Sequence, residues 1–412
     1  MLFLTVLEWT KMRRSGFFKV LLLFMAIGTI GYYIYIYSNT VRTEEILSNL
    51  EVDLMNTELQ LVELEKQDQN GSLDQPSKNV LKIYHDSVPQ LKAQIEGINT
   101  GNWVMWAKAN REFQKFDTSF AIKQEWERTY PTRFTQDSHQ SFLEWLEQRN
   151  IEPVWPMYFW LTSYDEVFDE GIEPIIRGNV DKRHGSNGSY FSYHLFNHLF
   201  TFIGIVFFLF LFNDIITKEG EGRNGPINLL RTLPINRNAV LLSKFISVLL
   251  MTIGILAVVL ILATFLGTLF DRFGDWNYPI LIYGENYAFE WIPLGLFLLK
   301  SAGLFLLGLV FSYSILFFFS VLTNRAIISI GITLTLLFLG NAWAEQSILS
   351  ENAHLIPFHY LNVYMIVSND FAVIHDNFAF SYTNGVLSLT IASLAILLMT
   401  YVLSIFRYRT RG

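Results

Sequence analysis

Cysteine is absent from this 412-residue chain. No disulfide, thiolate metal site or cysteine nucleophile can exist in it, which excludes a disulfide-stapled domain. Charge is scarce too. Only 16% of residues are charged and 51% are hydrophobic, against about 25% charged in soluble globular chains. That deficit points to a chain that crosses a membrane several times. A G-x-x-x-x-G-K-[ST] phosphate loop is also missing. The run "GEGRNG" at 220–225 is glycine-rich but lacks the lysine, so the chain does not cradle ATP in the usual manner. No paired nucleophile and base, and no cluster of acids or histidines inside an apolar run, speaks for an enzyme.

What the chain does have is length in its apolar runs. Six are long enough for a bilayer core, which takes roughly 20 residues: Phe17–Tyr37, Tyr193–Phe212, Ala239–Phe270, Ile292–Leu322, Ala326–Ala344 and Val386–Phe406. The expected fold is an all-α polytopic membrane protein with six transmembrane helices. The third and fourth runs exceed the need, so tilt, kinking or extension into solvent is expected there. "KMRR" precedes the first run, but that run is too long for a signal peptide and no small-residue cleavage site follows, so it reads as an uncleaved span. Cations set the orientation. With both termini cytoplasmic, the inner segments gather thirteen Lys and Arg against four acids, and the two short outer loops hold one cation, Arg272, against eight acids. The composition suggests the plasma membrane of a bacterium.

Between the first two spans lies a polar segment, Asn39 to Ser192, with 25 acids and 15 basic residues. It is expected to form a large helical extracellular domain. Leu47, Leu50, Leu54, Thr57, Leu61 and Leu64 alternate steps of three and four, a coiled-coil seam, and "NGSLDQPS" at 70–77 breaks it. A second seam follows at Leu81, Tyr84, Val88, Leu91, Ile95 and Ile98, so an antiparallel hairpin is expected. Pro89 should kink or restart its second helix. The remainder is rich in tryptophan: Trp103, Trp106, Trp126, Trp145, Trp155 and Trp160. Two readings stand, a surface for an amphipathic or cationic ligand, or a small helical core that also rests on lipid headgroups.

Inside the membrane, polar groups are costly and call for attention. Lys300 stands two turns into the fourth span and either snorkels outward or faces a path between subunits. Asn341 ends the fifth span beside Trp343 and Glu345, as an interfacial cap or a contact along that path. His194 and His198 are spaced i, i+4 with no acid or third histidine near in sequence, so no metal site is expected from them.

The inner loop between spans two and three, residues 214–240, carries more than a connection needs. Gly220, Gly222, Gly225 and Pro226 end one helix. "INLLRTLP" supplies a short amphipathic one with Ile227, Leu230 and Leu233 on one side and Arg231 on another, and Pro234 stops it. Such a helix lies flat at the inner leaflet, either gripped by a soluble partner or merely interfacial. The stretch "DIITKEGEGRNGPINLLRTLPINRNAVLLSKF" resembles the cytoplasmic loop of type-2 ATP-binding-cassette exporter permeases. The matching positions are Lys218, Glu219, Glu221, Leu229, Leu230, Leu233, Pro234, Arg237 and Lys244. That family often has Gly-Thr before the leucines, where this chain has Gly225-Pro226. Two further stretches support the resemblance: "LTVLEWTKMRRSGFFKVLLL" is similar to the family's N-terminal elbow helix, and "LIPFHYLNVYMIV" at 355–367 to its Pro-aromatic-Tyr segment between spans five and six.

The resemblance implies a permease subunit of an exporter, moving or extracting an amphipathic peptide or lipid-like substrate. Residues 1–38 would hold the elbow helix and span one, 39–192 the enlarged outer domain, and 193–412 the remaining spans. ATP and Mg would bind a separate ATPase subunit, with no cofactor on this chain. Glu219, Glu221, Arg223, Leu229, Leu230, Arg231, Leu233 and Pro234 would couple the two, and Lys300 and Asn341 would flank the translocation path. Expected partners are ATPase subunits, a second copy or a paired permease, and membrane lipids, but no nucleic acid. The size of the outer domain keeps a second reading open, a membrane sensor or scaffold that signals through that domain.

Overall fold

The computed structural model describes residues 9–10, 14–124, 133–155, 162–168, 184–217, 237–323 and 325–409. In chain order its helices are α1 Gly16–Asn39, α2 Thr43–Gln69, α3 Gln75–Thr100, α4 Trp103–Gln124, α5 Arg133–Arg149, α6 Ser163–Phe168, α7 Gly188–Leu199, α8 Phe202–Thr217 and α9 Arg237–Phe270. Strands β1 Pro279–Tyr283 and β2 Phe289–Pro293 follow, then α10 Leu294–Thr323, α11 Ala326–Gln346, α12 Val363–Val367, α13 Asp370–Ile374 and α14 Tyr382–Arg409. Two compact units emerge. A membrane unit gathers Met1–Tyr33, Ser192–Leu269 and Gly295–Gly412, and an inserted unit gathers Ile34–Phe191 and Phe270–Leu294.

Among the described residues, five helices are long and apolar enough to span a bilayer, and a sixth span results if the bent pair α7 and α8 counts as one. This is the all-α polytopic fold that the apolar runs predict. Side chains such as Val20, Phe24 and Ile27 on α1, or Ile391 and Leu398 on α14, are exposed, as lipid-facing residues are. One expectation needs correction. The second span is not a single straight helix over 193–212: its two halves meet at 76°.

In the inserted unit, α3 packs against α2 on one side and α4 on the other, and α4 packs against α5. All six seam positions of α2, from Leu47 to Leu64, are half-buried, while Leu91 and Ile98 of α3 are buried. Lys92 pairs with Glu58 at 2.8 Å and Lys78 with Asp68 at 3.8 Å across the hairpin. Asp74 caps α3 by accepting the Ser77 amide at 3.1 Å, a standard way to satisfy a helix's first free N–H groups. The expected break at Pro89 does not restart the helix, since α3 runs unbroken from Gln75 to Thr100. Proline removes one amide bond from the ladder, and neighbours packed on two sides hold the helix through the loss.

Trp106 and Trp155 are buried and meet edge to face at 5.2 Å. These two tryptophans therefore build a core rather than a ligand surface, while Trp126 and Trp160 lie outside the described residues. Trp145 is half-buried, donates its indole N–H to the Asn277 carbonyl at 2.9 Å, and has the Arg149 guanidinium over its ring at 3.5 Å. The antiparallel β-hairpin pairs Pro279 with Pro293 through to Tyr283 with Phe289. Its tip turns through Asn286 and Tyr287, both at positive φ (55° and 61°). Tyr278 and Trp291 pack on Phe142 of α5, and Tyr283 and Phe289 pack on Phe134. Arg272 joins Glu152 in an ion pair, and the Ser163 amide donates to the Tyr283 hydroxyl at 3.0 Å.

Candidate functional site

The eight residues assigned to ATPase coupling, Glu219, Glu221, Arg223, Leu229, Leu230, Arg231, Leu233 and Pro234, lie outside the described residues. The helices that flank them are described: α8 runs to Thr217 and α9 begins at Arg237, seven residues before a buried Lys244. Lys300 is half-buried near the start of α10. Asn341, also half-buried, donates to Glu345 one turn further along α11 at 3.0 Å. Asn341 is thus engaged within its own helix. Among the described residues no hydrogen bond or ion pair brings Lys300 and Asn341 together.

What the membrane unit brings together instead is the break in the second span and the segment between spans five and six. In "HLFTFIG" at 198–204, α7 ends at Leu199 and α8 begins at Phe202. The Thr201 hydroxyl donates to the His198 carbonyl at 2.9 Å, and the helix resumes when the Ile205 amide donates to Thr201 at 3.2 Å. Gly204 permits the bend, because a Cβ at that position would lie 1.8 Å from the Leu199 carbonyl oxygen. Backbone groups freed at membrane depth must find new partners. Here the Val363 amide donates to the Phe200 carbonyl at 3.1 Å; the Tyr364 hydroxyl adds a further bond to the Tyr193 carbonyl, inside α7, at 3.0 Å.

The residues around "PFHYLNVY" at 357–364 explain why the segment sits there. Phe358 lies against Gly340 of α11 and Tyr360 against Gly385 of α14, each so close that a Cβ on the glycine would overlap the ring. The Tyr360 hydroxyl donates to the His354 carbonyl at 2.6 Å. Tyr364 joins Tyr193 and Phe297 in an aromatic cluster, and Phe200 stacks on Phe305 at 4.6 Å. A wedge of rings thus locks the segment to spans two, four, five and six. His198 sits edge-on to Tyr32 at 5.2 Å. Among the described residues no group of three or more His, Asp or Glu is gathered as an ion would need.

His359 lies within this wedge, buried against Phe371 and Phe380. Burial, and secondarily the charge of His375, push its pKa down to about 4. An unfolded histidine titrates near 6.5, so between those values the unfolded segment binds more protons than the folded one. The sign follows: His359 leaves the fold undisturbed above about pH 6.5, and stability is lost as pH falls from there towards about 4. The protection factors of residues 357–374 in nanodiscs, that is, exchange measured relative to the intrinsic base-catalysed rate at each pH, should fall between pH 7 and pH 5 in the native chain and much less in His359→Gln. A flat profile in the native chain would refute this assignment.

Sequence reasoning missed the break because the residues around it are all apolar enough for one uninterrupted span. The only local signals are Thr201 and Gly204, neither of which is diagnostic alone. A groove of about 850 Å³ was missed as well. It runs along α11, lined by Ile328, Ile332, Leu336, Leu339 and Trp343 together with Phe358.

The architecture is thus a set of apolar spans with one broken helix and an aromatic segment docked beside the break. A family model described as "ABC-2 family transporter protein" matches residues 3–412. The chain belongs to that family and is a multi-pass membrane protein of the type-2 permease class. No curated protein and no solved structure matches it.

Proposed function

We propose that the chain is the permease subunit of an ATP-driven exporter, with hydrolysis carried out on a separate ATPase subunit that binds ATP and Mg. The observation that carries this reading is the family match from residue 3 to residue 412. The cation distribution supports a cytoplasmic position for both termini and for the loop around Leu230, where the motor would engage. By the same rule the inserted unit lies outside the cell. In a type-2 permease a discontinuous span is a natural place for the path to open, as broken helices are at transporter midplanes. The aromatic wedge beside the break suits an amphipathic peptide or lipid-like substrate.

A second copy of the chain completes the path. The groove on α11 extends over sixteen residues, Ile328 to Trp343, or about 24 Å of helix. That exceeds one leaflet of a hydrocarbon core about 30 Å thick, so a partner helix fits it better than a single acyl chain. Purification from native membranes in mild detergent tests the reading. An ATPase subunit bearing a phosphate loop should co-purify, and its hydrolysis should rise when the permease is present. Full transport by the solitary chain would overturn the proposal, and a co-purifying kinase without such an ATPase would favour a sensor.

A further inference from the structure

We propose that the face of α2 turned away from α3 is a docking surface for a cationic amphipathic helix. With Leu47 at heptad position a, the seam against α3 occupies a and d. Val52 and Leu59 then fall at f, and Met55 and Val62 at b, on the opposite side of the helix. Their exposures are 48%, 63%, 55% and 47%, and no residue of α2 is fully buried. A single exposed apolar side chain is ordinary, but four in register over about 15 Å of helix form a patch that calls for a partner.

Charge along the edges of the face selects the partner. Glu44, Glu51, Glu58 and Glu65 recur every seven residues at e along one edge, and Glu63 stands on the other edge at c. Lys92 of α3 engages Glu58, while Glu44, Glu51 and Glu65 are exposed. Two parallel copies of α2 would set this column against Asn49, Asn56 and Glu63, and two antiparallel copies would set it against itself. Neither arrangement forms an ion pair, and both bring like charges together. A helix with apolar residues at three- and four-residue spacing, flanked by Lys or Arg, buries the patch and neutralises the column. The whole inserted unit has 29 acids against 16 basic residues, a balance of −13, and so attracts such a ligand from a distance.

The absence of cysteine makes a local probe simple. Asn56→Cys, on the rim of the face, carries an environment-sensitive fluorophore on the full chain in phosphatidylcholine nanodiscs. The ligand probe is a helical Leu/Lys peptide of about 14 residues, long enough to be partly helical alone, and the control replaces every Lys with Glu. The Lys peptide should give a saturable shift that weakens roughly tenfold or more in Met55→Glu with Leu59→Glu, a loss of about 1.4 kcal/mol. It should also weaken in about 0.5 M salt. Both substitutions are at exposed positions, so an unchanged melting temperature confirms that the variant is folded. An equal response from the Glu peptide or in the double variant overturns the proposal. So does spontaneous disulfide formation between two unlabelled copies of the Asn56→Cys chain without peptide, which would assign the face to a second copy. The test uses no ATPase, so its failure leaves the permease reading untouched.

Discussion

Leu230→Glu combined with Leu233→Glu is expected to reduce ATP hydrolysis by the reconstituted complex to the rate of the ATPase alone, while the chain still inserts. The sequence predicts a short inner helix here with Ile227, Leu230 and Leu233 on one side, the side that the proposed partner would grip. Leaving an unpartnered charge buried costs about 3–5 kcal/mol, enough to weaken the contact more than about a hundredfold. Leu230→Ala should cost far less, because it removes contact area without burying a charge. Membrane fractionation verifies insertion and phosphate release reports coupling. Normal stimulation in the double variant would remove the coupling role from this loop.

The second large effect is at Gly204. Alanine in the middle of an ordinary helix is favoured over glycine by about 1 kcal/mol, so a straight second span would be stabilised by Gly204→Ala. In the bent span the new Cβ would lie 1.8 Å from the Leu199 carbonyl oxygen. The halves must separate, straining the bond from the Val363 amide to the Phe200 carbonyl at the break. A destabilisation of about 1–3 kcal/mol is expected, seen as a lower unfolding temperature in detergent, together with loss of transport. Gly254 is the control: it stands inside α9 with nothing within 4 Å of a built Cβ, so Gly254→Ala should be neutral or stabilising. The sign of the Gly204 effect thus distinguishes a bent span from a straight one.

The spans were legible because about twenty consecutive apolar residues have few soluble alternatives. The seam of α2 was legible because Leu47, Leu50, Leu54, Leu61 and Leu64 keep one period and their burial follows it. The opposite stripe of the same helix escaped notice, since the stronger leucine pattern dominates the same residues. The β-hairpin was not anticipated. Each strand has only five residues, and "PILIY" buries residues on both faces, so the alternation that marks a half-exposed strand is missing. The break at 199–202 depends on where the Leu199 carbonyl meets Gly204, a contact that residue type alone does not encode.

The inserted unit is discontinuous in sequence, and that bears on how the protein is made. Its hairpin side is fastened to much earlier residues by Arg272 to Glu152, Asn277 to Trp145 and Tyr283 to Ser163. These partners are separated by spans two and three. Contacts between such distant parts of a chain form slowly. The ribosome must deliver both spans to the insertion machinery before residues 270–294 exist to finish the unit. Until then Phe134 and Phe142 lack their β-hairpin partners, so the unit closes its core only after both spans have been made.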